Sequence, residues 1–132
     1  MSDDELGKLA DAWILGELYG RTKDGRETTE YKKYAWALMA PIDWKYDDEP
    51  ELLWRFILAV HEKDPDSKVA GRLAAGPVEE LMTEFGADYI EQVEDLARRD
   101  DRFRDMLYGT WQDGMSDELW VRFQNARAPR CN

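Results

Sequence analysis

A chain of 132 residues is long enough for one cooperative core, whereas two domains of half that size would each be marginal. Its 43% hydrophobic content, with six Trp, six Tyr and four Phe, excludes a disordered chain, because so much bulky apolar surface has to be buried. The formal net charge of −11 repels phosphate backbones and anionic membranes alike, so the expected macromolecular partner is a basic protein, not nucleic acid or a membrane.

At the N-terminus Ser2 and Glu5 stand at capping-box spacing, and Leu6, Leu9, Trp13 and Leu18 follow at helical intervals. They predict a first helix from Asp3 to Tyr19, stopped at Gly20. The polar run from Arg21 to Thr28, with Gly25 inside it, reads as a loop. A second helix from Thr28 or Thr29 carries Tyr31, Tyr34, Ala35, Leu38 and Met39. It is expected to end near Pro41, since proline lacks a donor and disfavours helical geometry in the residue before it. Ile42 to Glu49 then reads as a turn whose Trp44 and Tyr46 pack against neighbouring helices.

Pro50 suits a first helical position and opens the clearest apolar stripe, formed by Leu52, Leu53, Phe56, Ile57 and Val60 and ended at Pro65. Asp66 or Ser67 caps a short helix with Val69 and Leu73 inward. Gly76-Pro77 reads as a break, Gly86 as a stop, and Ala87 or Asp88 as the start of a helix that buries Tyr89, Ile90, Val93 and Ala97. Asp100 or Asp101 and then Ser116 cap the last two helices, and Ala126 to Asn132 reads as a frayed tail. The fold class is therefore all-α, a single domain over residues 1–132 built from six or seven short helices. It comprises an N-terminal helical part (1–49), a helical stack (50–123) and a tail (124–132). Short connections place successive helices side by side, either as a HEAT-like two-layer stack or as an orthogonal bundle. Trp13, Trp36, Trp54, Trp111 and Trp120 continue apolar stripes and are expected mostly in the core.

No stretch approaches the ~18 apolar residues that cross a bilayer. Met1 to Glu5 is acidic where a secretory signal would be basic and then apolar, so a cytoplasmic location is expected. Cys131, the single cysteine, excludes an intrachain disulfide and fits a free thiol in a reducing compartment.

The acidity is uneven. His61 to Asp100 hold eleven acids against five bases, whereas Asp101 to Asn132 are balanced. Glu80, Glu84, Asp88, Glu91 and Asp95 fall on outward helical positions and are expected to form one acidic surface, which a positively charged partner would convert from repulsion to attraction. A second acidic run, Asp47-Asp48-Glu49, follows Trp44 and Tyr46, the residue types that anchor protein interfaces. These ten residues form the candidate protein-binding set. The plainer explanations are a solvated face and an aromatic lid over the core.

Chemical motifs are largely missing. His61, the one histidine, sits where a helix C-terminus would favour its protonated form, and no Ser or Cys stands in a nucleophile context. No catalytic, cofactor-binding or metal-binding residue is assigned, and no cofactor is expected. Asp43 with Asp47, Asp48 and Glu49 offers oxygen ligands, but a charged turn accounts for them. Arg98, Arg99, Arg102 and Arg104 are interleaved with Asp95, Asp100, Asp101 and Asp105, a pattern of surface ion pairs and not of a nucleic-acid grip.

Over residues 50–123 the chain resembles an uncharacterised bacterial domain family of unknown function. The resemblance is carried by Asp66, by Leu73-Ala74-Ala75-Gly76-Pro77-Val78-Glu79, Phe85-Gly86 and Ile90, then by Asp101-Arg102-Phe103-Arg104, Leu107, Gly109-Thr110-Trp111, Met115-Ser116 and Trp120. It implies a helical domain and no activity. Small size, acidity and a helical body suit a binding protein, in its sharpest form an immunity or inhibitor protein against a basic bacterial effector. The other readings are an adaptor that self-associates or binds an uncharged partner, and a small enzyme using His61 or clustered carboxylates.

Overall fold

The computed structural model describes residues 1–22 and 24–129, and Cys131 lies outside them. The helices are α1 (Asp3–Tyr19), α2 (Tyr31–Tyr46), α3 (Pro50–Glu62), α4 (Ser67–Leu73), α5 (Glu79–Arg99), α6 (Asp101–Met106) and α7 (Asp117–Arg127). A π-helical turn, Ala74–Val78, joins α4 to α5 with right-handed helical backbone at both junctions, so α4 and α5 run on as one body and the described residues form six helices. A 3₁₀ turn, Leu107–Gly109, follows α6. Among the described residues β structure is confined to one isolated antiparallel bridge, Arg21 with Glu27, closed around Gly25 at φ 83°.

Local chemistry sets most helix starts. The Ser2 hydroxyl accepts from the Glu5 N–H while the Glu5 carboxylate accepts from the Ser2 N–H, a closed capping box. Asp66, Asp100 and Ser116 each accept from the N–H three residues on, and Pro50 occupies the first turn of α3.

Three expected boundaries are corrected by tertiary packing. Pro41 does not end α2, which continues to Tyr46 with the proline ring buried, so core contacts outweigh one missing backbone bond. Gly76-Pro77 does not break the chain, because the π turn absorbs the absent proline N–H and keeps the helix running. Gly86 does not stop a helix either. A Cβ there would collide with the Leu119 side chain, so this glycine lets α7 approach α5. The tail also begins later than expected, since α7 extends to Arg127. The Arg127 guanidinium donates to the Thr110 carbonyl at 3.0 Å and lies over the rings of Trp120 and Tyr108.

The core centres on Phe56, which Trp13 and Trp44 meet edge-on at 5.6 and 5.7 Å. Trp54 in turn meets Phe103 edge-on at 6.1 Å. Each large side chain so buried contributes roughly 1.5–3 kcal/mol relative to exposure. Gly16 of α1 touches Tyr34 and Leu38, while Met1 and Glu5 share a groove with Asp43 and Asp47, so α1 and α2 are antiparallel. α1 packs on both α2 and α3, and α5 packs chiefly on α7. Contacts that skip neighbours in this way do not establish a HEAT-like stack. No helix of the described residues is long and apolar enough to cross a membrane.

Candidate protein-interaction surface

The end of α2, which leads into the first acidic run, packs on α5, which carries the second, and the Lys45 charge acts on Glu80 there. α2 carries Lys45 and Tyr46 on its last turn. Asp47 caps it, Asp48 takes left-handed backbone at φ 56°, and Glu49 leads into α3. Glu51, one residue into α3, accepts a hydrogen bond from the Tyr89 hydroxyl at 3.1 Å, which ties this corner to α5. Asp88 lies close enough for its charge, with that of Glu51, to help hold the Tyr89 hydroxyl above its ordinary value, burial being the larger cause.

The π turn builds the other side. The Thr110 hydroxyl donates to the Ala74 carbonyl at 2.7 Å and pins the 107–111 segment against it. The Trp111 backbone N–H then faces the Glu79 carboxylate, and Asp113 acts on both Glu79 and Glu80. Burial, reinforced by Asp113, pushes Glu79 above the usual carboxylate range despite that N–H. Burial likewise raises Glu80; Lys45 opposes it, while Glu84 and Asp113 add to it. One Glu80 carboxylate oxygen and the Thr83 hydroxyl are buried without a hydrogen-bond partner. Desolvated, mutually repelling acids of this kind are stabilised by an incoming cation.

Two exposed aromatics flank these acids. Tyr46 is 76% exposed, with the Lys45 ammonium 5.5 Å from its ring, and Trp111 is 75% exposed. Trp111, and Trp36 at 59% exposed, depart from the expectation that the stripe tryptophans lie mostly in the core, which Trp13 and Trp54 follow. Trp111 follows the 3₁₀ turn, where helical periodicity no longer applies. Trp44 goes the other way. Extended through Pro41, α2 carries it into the core at 8% exposed, where it cannot anchor a partner.

The remaining members of the expected set separate. Glu84, Asp88, Glu91, Asp47, Asp48 and Glu49 are exposed, and Glu80 is half-buried. Asp95 is exposed too, but it pairs with Arg99 at 3.1 Å and Arg98 at 3.6 Å, while Glu94 holds Arg122 across to α7. The far end of α5 is thus charge-compensated where the near end is not. The interleaved arginines do exchange ion pairs, with Arg104 on Asp101 at 3.1 Å and Arg102 on Asp64 at 3.2 Å.

His61 belongs to a different place. Its Nε2 meets the Asp100 carboxylate at 2.8 Å, a pairing across 39 residues that helical spacing cannot reveal. Burial alone would raise the Asp100 carboxyl, but the Phe103 N–H and the His61 ring outweigh it and hold the group below its ordinary value. His61 lines a cleft of about 330 Å³ with Ser67, Leu73, Arg102 and Met106. Among the described residues no hydroxyl or thiol hydrogen-bonds the ring, and no three acids, histidines or cysteines converge as a metal site.

Fold and surface together define a small all-α protein with an acidic cluster, countered by Lys45, between two exposed aromatics. Residues 24–131 match the Family of unknown function (DUF6869), and the chain belongs to that family. The match reaches further towards the N-terminus than the resemblance over 50–123 and takes in α2 as well. Neither a curated protein nor a solved structure registers a match.

Proposed function

We propose that this protein binds a basic protein through the face between Tyr46 and Trp111, acting as an immunity or inhibitor protein that neutralises a basic bacterial effector. The observation that carries the reading is the gathering of Glu79, Glu80, Glu84 and Asp113, whose charges act on one another, beside Lys45, which leads into the acidic run Asp47 to Glu49. Lys45 is the one cation, among the described residues, whose charge acts on Glu80. Acids held together against their own repulsion gain most from a cationic surface, which would raise both association rate and affinity. Tyr46 and Trp111 supply the bulky anchors that dominate protein interfaces.

The test is capture from the native host lysate at low and moderate salt, followed by identification and titration of the retained protein. The reading expects one basic protein, bound stoichiometrically and less tightly as salt rises, with Trp111→Ala and Glu84→Lys each weakening it about tenfold. Undiminished affinity in both variants would overturn it. An adaptor or self-associating role has its own support in the exposed apolar residues Trp36, Met39 and Ile42 on α2. Salt-insensitive association lost in Trp36→Ala, but not in Trp111→Ala, would favour that role.

A further inference from the structure

A groove separate from the Tyr46–Trp111 face runs between the first halves of α1 and the later turns of α2. It is lined by Met1 and, on α1, by Glu5, Lys8 and Leu9, and opposite them by Trp36, Ala40, Asp43 and Trp44 of α2 with its cap Asp47, a volume of about 490 Å³. The α2 residues recur every three or four positions, so they form one stripe of three turns, about 16 Å long at 1.5 Å per residue. The buried Leu9 and Trp44 with half-buried Ala40 make the floor, and Trp36 stands at one end as a largely exposed wall. Asp43 and Asp47 are exposed beside it, and Glu5 lies across from them, its carboxylate anchored to the Ser2 N–H at 3.1 Å. Lys8 is the single base against these three acids in the lining.

We infer that this groove receives an amphipathic helix from the partner, apolar on the side that meets Leu9, Ala40 and Trp36 and basic along its flanks. Three features choose that occupant. The length matches three turns of helix, the floor is apolar, and the rim carries a surplus of carboxylates that would pair with Lys or Arg and repel an acidic segment. Trp36 also offers its ring to a basic side chain, an attraction that strengthens as water is excluded. The inference rests on the basic-partner reading above and assigns a second set of contacts to it. Asp47 is the residue that the groove and the acidic face have in common.

The probe is a synthetic 14-residue helical peptide with Leu at every third or fourth position and Lys or Arg between, titrated into the intact protein. An analogue with Glu in place of the bases is the control. Trp36→Ala removes the wall and Ala40→Phe fills the floor; both positions are at least partly exposed, and thermal melting verifies the fold of each variant. The basic peptide is expected to bind at low salt, with each of these variants weakening it about tenfold. Binding lost in Glu84→Lys but kept in both groove variants would overturn the groove while leaving the acidic-face reading intact. Equal binding of the acidic analogue, or no binding of either peptide, would also overturn it. The acidic-face reading fails separately, if the native partner is indifferent to Trp111→Ala and Glu84→Lys.

Discussion

The junction of His61 with Asp100 and the face between Tyr46 and Trp111 both gather polar groups around buried ones, and they treat them in opposite ways. At the junction every charge has an answer. Asp100 accepts from both His61 and the Phe103 N–H, and Arg102 donates to the His61 carbonyl at 3.1 Å while pairing with Asp64. On the face, Glu79 and Glu80 are pushed up by burial and by neighbouring acids, and one Glu80 oxygen has no partner. The satisfied cluster ties α3 to the start of α6; on the face the Glu80 oxygen and the Thr83 hydroxyl remain without a hydrogen bond.

That contrast breaks most visibly if Asp100 is removed. Asp100→Ala deletes the α6 cap and the His61 partner together and is expected to cost about 2–3 kcal/mol, measured by urea unfolding. A loss below ~0.5 kcal/mol would mean that the junction is not structural. Trp111→Ala and Tyr46→Ala should do the reverse. Their stability should stay within about 0.5 kcal/mol of the parent, while affinity for the basic partner falls about tenfold, or about 1.4 kcal/mol. Calorimetric titration beside thermal melts separates the two effects.

Acid titration sharpens the comparison, because the two places depend on pH with opposite sign. Asp100 has a folded value below its unfolded one. Its contribution is full above the ordinary carboxylate range and is lost as pH falls through the depressed folded value. Asp100→Asn should therefore flatten the acid limb of the stability curve. Glu80 is raised on folding, so its penalty is absent at low pH and grows as pH climbs from the ordinary carboxylate range through the raised folded value. The smallest expected effect follows: Glu80→Gln should stabilise the free protein by about a few tenths of a kcal/mol at neutral pH, after solvent screening, and by nothing at low pH.

The helix starts were legible because each depends on a few neighbouring atoms. Ser2, Pro50, Asp66, Asp100 and Ser116 act where the sequence places them. The misread punctuation, Pro41, Gly76-Pro77 and Gly86, depends on what packs beside it, namely a buried ring, a π turn and the Leu119 side chain. The same dependence decides the aromatics. Once α2 runs through Pro41, Trp44 turns inward, and Trp111, lying beyond a 3₁₀ turn, has no helical period to place it. The acids were therefore legible as two separate runs, while the approach of Lys45 to Glu80, and the addition of Glu79, Asp113 and Trp111, required the fold.

Hydrogen–deuterium exchange on the complex with the captured basic partner tests the central claim most directly. The account predicts slowed exchange in residues 45–49, 79–88 and 111–113, with the segment around His61 and Asp100 unchanged. Protection confined to the His61 cleft, with the Tyr46–Trp111 face exchanging as in the free protein, would contradict it.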